Sequence, residues 1–210
     1  MAKNQHIVAV EIEHPDFTGY RRGDIFDLIS SQNMIIGYRP NLEELDPRTN
    51  VRPDGKVTLQ VIPYIVVRHR DKVLVYVRPS VGNESRLHGK VSIGLGGHVD
   101  LEDVAHAGSV ADLKNTIDLA AAREVEEELG GMGMKFDIEW TGLIYRDDGP
   151  VDRVHLGCVG IIDITDEQRR SIGYTEEIGK IDSQPISAIA KLYDGYEIEA
   201  WTKAIIEEAP

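Results

Sequence analysis

Cysteine is almost absent from this sequence. Cys158 is the only one in 210 residues, so no intrachain disulfide can form. It lies in the apolar run Gly157-Cys158-Val159-Gly160-Ile161-Ile162, and a buried free thiol suits a reducing compartment. Long apolar runs are missing too. Ile7-Val8-Ala9-Val10 is too short for a secretory signal, and nothing approaches a membrane span. A cytoplasmic location is the expectation. Basic residues are the minority, 23 Lys and Arg against 36 Asp and Glu, for a net charge of −13. That balance argues against a general nucleic-acid or anionic-membrane binder. A polyanionic substrate would need a metal, or a local group of Arg, Lys or backbone N–H, to be accepted. No Gly-x-Gly-x-x-Gly, Walker, Cys-x-x-Cys or Gly-x-Ser-x-Gly motif occurs, and no internal repeat or low-complexity segment.

What remains is an ordinary globular composition, 41% hydrophobic and 28% charged, long enough to bury a sizeable core. Residues 1–56 read as an N-terminal extension, with a strand at Ile7–Ile12 and a short helix over 24–29 capped by Asp24. Pro40, Pro47 and Pro53 break up the rest of it. Packing layer, lid and homodimer contact are its open roles. Residues 57–210 form the main domain. Val57–Val67 and Lys72–Val77 predict a β-hairpin, with Pro63 suggesting an edge or a bulge. Val91–Leu95 is a short strand ending in Gly96-Gly97. Asn115 predicts the start of a helix, as N-cap with Asp118 at N3, and Gly130-Gly131 its left-handed end. Strands follow at Phe136–Tyr145 and Val154–Ile164. A short helix follows Pro185, and a last helix covers Tyr196–Glu208. Strands, one central helix, more strands and a closing helix imply an α/β fold with a mixed sheet.

The chemistry concentrates in Arg123-Glu124-Val125-Glu126-Glu127-Glu128-Leu129-Gly130. Residues three and four apart share a helix face, so Glu124, Glu127 and Glu128 project together. Ile117, Ala121, Val125 and Leu129 form a separate apolar stripe. Like charges at this spacing repel by roughly 0.2–0.5 kcal/mol per pair, a cost that a divalent cation would remove. A solvated acidic face is the plainer alternative.

With Gly96-Gly97 upstream, this stretch resembles the signature of the Nudix hydrolase family: Gly, five residues, Glu, seven residues, then Arg-Glu-(apolar)-x-Glu-Glu-x-Gly. Gly97, Arg123, Glu124, Val125, Glu127, Glu128 and Gly130 match it residue for residue. Two features depart from it: twelve extra residues between Gly97 and Arg123, and Asn115 eight residues before Arg123, where the family has Glu. Asp100, Asp103 and Asp112 are the carboxylates that could replace that Glu.

The resemblance implies a Nudix-type α/β/α sandwich with a mixed sheet and the N-terminal extension. It also implies Mg²⁺-dependent hydrolysis of a diphosphate linkage in a nucleoside diphosphate joined to another moiety. Mg²⁺, with Mn²⁺ as a substitute, would be held by Gly96 (through its carbonyl), Glu124, Glu127 and Glu128. Glu127 and Glu128 are candidates for the base, Glu176 and Glu177 are others, and Arg123 would pair with the signature glutamates. Arg78 and Arg86 are the candidate phosphate contacts, beside Tyr64, Tyr76 and Glu84. His98 could touch phosphate or simply shape the turn. The partner expected is a small-molecule nucleotide. A Nudix-fold binding or regulatory module with weak catalysis is the competing reading, and an acidic interaction protein with an incidental motif is a third.

Overall fold

The computed structural model describes residues 5–30, 33–79, 88–107, 112–130, 136–172 and 181–208. Among the described residues, ten strands form one mixed sheet. They are β1 (His6–Glu13), β2 (Gly19–Arg22), β3 (Met34–Tyr38), β4 (Lys56–His69), β5 (Lys72–Val77), β6 (Val91–Ser92), β7 (Gly94–Leu95), β8 (Glu139–Tyr145), β9 (His155–Asp163) and β10 (Ile181–Gln184). The central order is β10-β5-β4-β9-β8-β2, with β1 and β7 also on β4, β3 on β1 and β6 on β5. Among the described strands, β4 and β9 pair in parallel and the other ladders are antiparallel. Helices α1 (Ile25–Leu28), α2 (Arg39–Glu43), α3 (Leu101–His106), α4 (Leu113–Leu129), α5 (Asp166–Ser171), α6 (Ile189–Leu192) and α7 (Ala200–Glu208) complete the fold.

Alternation along β4 assigns its two faces, because successive strand residues point to opposite sides. Val57, Leu59, Val61, Ile65 and Val67 pack against Leu113, Ile117, Ala120, Ala121, Val125 and Leu129 of α4. Tyr64 and Val66 pack against Trp201, Ala204 and Ile205 of α7. The apolar stripe foreseen on α4 is therefore the core contact, and all four of its members are fully buried. Residues before 57 join the same sheet: Val8 and Val10 of β1, with Ile25 and Ile29, belong to the core under α4. Among the described residues no helix is long and apolar enough to cross a membrane.

Four local expectations change. Pro63 lies in a central strand, paired on one side with Cys158 of β9. On its other side, β1 pairs β4 only up to Gln60, and β7 begins at Ile65. Proline lacks an N–H for a ladder, and it occupies the interval where the sheet has split and none is required. The central helix starts at Leu113, with Asp112 as its cap accepting from Asn115 N at 2.9 Å. Asn115 is thus inside the first turn, and its side chain donates to the Ala107 carbonyl. The last helix begins at Ala200 rather than Tyr196. Glu197 O and Glu199 N instead bond Val91, drawing that backbone alongside β6. The strand expected from Phe136 starts at Glu139. Asp24 does cap its short helix, accepting from Phe26 N, and Gly130 ends α4 at φ 83°.

Candidate functional site

The split at Pro63 is where the chemistry gathers. After β7 the chain passes Gly96 and Gly97 across the gap between β1 and β7. α4 brings its carboxylates to that loop from one face of the sheet. Gly96 N donates to Glu128 Oε1 at 3.0 Å. A Cβ at Gly96 would stand 1.9 Å from the Pro63 carbonyl oxygen, and one at Gly97 would meet the Glu124 carboxylate at 2.5 Å. Both glycines therefore permit a close approach that any side chain would block.

Arg123 organises the acids around it. Its Nε and NH2 donate to the two oxygens of Asp103 at 3.1 and 2.9 Å, its NH1 to Glu124 Oε1 at 2.6 Å, and its NH2 to the His98 carbonyl at 2.9 Å. Glu127 stands 3.6 Å from NH1 and Asp100 3.8 Å from NH2. Burial acts to lower the guanidinium pKa, but the hydrogen bonds and charges of Asp103 and Glu124 outweigh it and the net shift is upward. Glu124 and Glu128 are buried facing the loop, whereas the Glu127 side chain is 44% exposed on the rim. Four carboxylates thus share Arg123, and Arg78 adds charge near the fifth, Glu128.

An implied Mg²⁺ can be tested against this donor set. The ligands are hard oxygens, the negative charge is in excess, and the missing Cβ of Gly97 leaves room beside Glu124. Those properties suit the ion. Among the described residues, however, no three His, Cys, Asp or Glu side chains converge as they stand. Glu124 is turned to Arg123 and Glu127 points outward, so Glu124, Glu127 and Glu128 do not meet at one point.

Asp103 is the residue that reasoning backward from Arg123 undervalued. Eight positions before Arg123 lies Asn115, which has no carboxylate. The sixth position after Gly97 is Asp103, and it is the acid that forks onto Arg123. Counting forward from the glycine was the available signal. The extra residues then fall between Asp103 and Arg123.

A second, buried polar group gathers around β5, β6 and the start of α7. Tyr64 Oη is 2.8 Å from Thr202 Oγ1, 3.4 Å from Ser92 Oγ, and donates to Glu199 Oε2 at 3.3 Å. Tyr76 Oη donates to the Gly94 carbonyl at 2.7 Å. Arg78 sits 3.6 Å from Glu199 and over the Tyr76 ring. Burial works against its charge, yet Tyr76, Glu199 and Glu128 together raise its pKa. Its Nε makes no hydrogen bond among the described residues. Glu199 and Thr202 lie over a hundred residues from their partners, and no sequence motif marks them. Tyr64 and Tyr76 are core residues in this arrangement rather than an open binding surface. Arg86, Glu84, Glu176 and Glu177 lie outside the described residues. An open cleft of about 530 Å³ lined by Arg22, Phe26, Lys114 and Trp140 shares no residue with either group.

No protein-family model matches the sequence. Protein YmaB of Bacillus subtilis (strain 168) is 34% identical over 151 residues, covering 70% of this chain and 69% of YmaB. Among solved structures, Tm1382, named as a candidate Nudix hydrolase, aligns with a TM-score of 0.69 at 24% identity over 96% of both chains. A NUDIX hydrolase from Nitrosomonas europaea aligns over 71% of this chain and 86% of its own, with 18% identity and a TM-score of 0.46. The chain belongs to one family with Protein YmaB, and its mixed-sheet α/β architecture is the Nudix fold.

Proposed function

We propose that this protein is a Nudix-type pyrophosphohydrolase that cleaves a diphosphate linkage in a nucleoside diphosphate joined to another moiety. The observation that carries this reading is the pair of buried carboxylates, Glu124 and Glu128, held against Gly96-Gly97 while Asp103 fixes Arg123 beside them. Cleaving a diphosphate requires neutralising phosphate oxygens and orienting a water. In a chain of net charge −13 the site's own acids cannot do the first.

Mg²⁺, or Mn²⁺ in its place, would supply charge neutralisation and a polarised water when held by Glu124, Glu127, Glu128 and the Gly96 carbonyl. Arg123 keeps Glu124 turned toward the glycine loop, and Gly96 N–H does the same for Glu128. Glu127, the exposed member, is the acid free to swing in, and with Glu128 it is a candidate to take the proton of the attacking water. Arg78 is the described candidate for a substrate phosphate. It is charged, it lies near Glu128, and its Nε has a proton to donate. Arg86 is proposed beside it. We assign the enzyme to the cytoplasm, with a small-molecule nucleotide as partner.

The test is a panel of nucleoside diphosphate derivatives with Mg²⁺ or Mn²⁺ and the purified protein. At least one compound should yield a phosphate-containing product, and Glu127→Gln and Glu128→Gln should each remove most of that turnover. Full activity in the double variant would reject the mechanism. Nucleotide binding without turnover across the panel would favour a binding or regulatory module.

A further inference from the structure

Three nitrogen and oxygen donors converge away from the carboxylates. Gln60 and His155 are register neighbours on β4 and β9, so their side chains share a face of the sheet. His98, just past the glycine pair, reaches both: its Nε2 is 2.9 Å from Gln60 Oε1 and 3.3 Å from His155 Nε2. His155 Nδ1 is 2.6 Å from the Val151 carbonyl oxygen. A carbonyl can only accept, so that nitrogen carries a proton, and in the neutral tautomer Nε2 presents a lone pair toward His98. His98 Nε2 has at most one hydrogen to set between two acceptors. Turning the Gln60 amide over would give His98 a donor but leave two imidazole lone pairs facing each other. In the present orientation the buried Gln60 Nε2 has no hydrogen-bond partner among the described residues.

Gln60 Oε1, His98 Nε2 and His155 Nε2 are the atoms that a cation placed between the rings would use. Two nitrogens on one tetrahedral ion, each about 2.0–2.1 Å from it, stand about 3.3–3.4 Å apart. The two Nε2 atoms are 3.3 Å apart. The contact from His155 to the Val151 carbonyl is the outer support that a metal-binding imidazole ordinarily has. His98 is held from behind as well, because its carbonyl accepts from Arg123. Imidazole selects late first-row ions over Mg²⁺, so this donor set differs in kind from Glu124 and Glu128.

We propose that Gln60, His98 and His155 form a second metal site, for a late first-row dication such as Zn²⁺, with its fourth position open to water or substrate. The proposal does not depend on which reaction the carboxylates perform.

The experiment uses the full chain without an affinity tag, in excess Mg²⁺, titrated with Co²⁺ as a visible probe and with Zn²⁺ by calorimetry. One equivalent of Co²⁺ should give the intense absorption of a four-coordinate ion, and Zn²⁺ should displace it. His155→Gln and His98→Gln should each weaken binding at least about tenfold, with unchanged far-UV circular dichroism. Glu124→Gln and Glu128→Gln should leave it intact. Gln60→Leu provides the same weakening if a histidine variant fails to fold. Absence of stoichiometric binding, binding that survives His155→Gln, or a pale six-coordinate spectrum lost in the glutamate variants would overturn the proposal.

Discussion

Asp103 holds one edge of the Arg123 guanidinium, with Nε and NH2 at 3.1 and 2.9 Å from its two carboxylate oxygens. The same carboxylate accepts the Asp100 N–H at 2.8 Å, so one side chain ties the start of α3 to the acidic face of α4. Removing one member of a buried ion pair costs about 3–5 kcal/mol. Arg123 is 26% exposed and keeps Glu124, so Asp103→Asn should cost less, about 1–3 kcal/mol in urea unfolding. Turnover should fall with it, since Arg123 then loses its anchor. Asn115→Ala removes only a 3.3 Å contact to Ala107 and should leave turnover unchanged. Equal effects of the two variants on turnover would reject the placement of Asp103.

The two glycines should respond differently to alanine. At Gly96 the new methyl would lie 1.9 Å from the Pro63 carbonyl, and backbone in the middle of a central strand cannot yield. Gly96→Ala should destabilise the fold by about 1–3 kcal/mol or more, the usual cost of overpacking. At Gly97 the obstacle is the end of the Glu124 side chain, which can rotate away. Gly97→Ala should therefore keep most of its thermal stability while weakening Mn²⁺ binding, measured by calorimetry. A Gly97→Ala protein with native Mn²⁺ affinity would mean that Glu124 is not a ligand.

Much of this was legible in the chain because local signals agreed with tertiary ones. Ile117, Ala121, Val125 and Leu129 keep helical spacing and are all buried, and Asp24 and Gly130 cap as their residue types predict. Local reasoning lost its grip where a distant partner decides the outcome. Pro63 is tolerated in a central strand only because β1 and β7 leave a gap beside it, and nothing near residue 63 announces that gap. Asn115 is a good cap by type, but Asp112 stands three residues earlier and accepts its N–H. In the site, the glutamate spacing was readable, yet the direction of each carboxylate was not. Arg123 draws in Glu124, Gly96 draws in Glu128, and Glu127 has only a 3.6 Å contact.

Cys158 should be inert in the folded protein. It is fully buried opposite Pro63, and burial raises its thiol to about 12. The thiolate is the reactive form, so at pH 8 both access and ionisation are withheld. A disulfide reagent added to native protein should release no colorimetric product over minutes, and one equivalent after denaturation. Rapid native reaction would place the thiol elsewhere than in the sheet core.

Acid should loosen the end of the β4–β9 ladder, where Arg68 meets Asp163. The guanidinium donates to both carboxylate oxygens, at 2.6 and 2.7 Å, across the parallel ladder. Hydrogen bonding to Arg68 lowers the Asp163 pKa from its ordinary 3.8. Because the folded value is the lower one, the contribution to stability is present above pH 3.8 and lost as pH falls through the folded value. Asp163 is 65% exposed and Arg68 also lies 3.6 Å from Glu139, which can take over the charge. The effect should therefore stay below about 1 kcal/mol and shrink in high salt. Urea unfolding from pH 7 to pH 3 should show Asp163→Asn less stable than the parent at neutral pH, with the two curves converging at the acid end. A constant gap across that range would assign the loss to packing rather than to the ion pair.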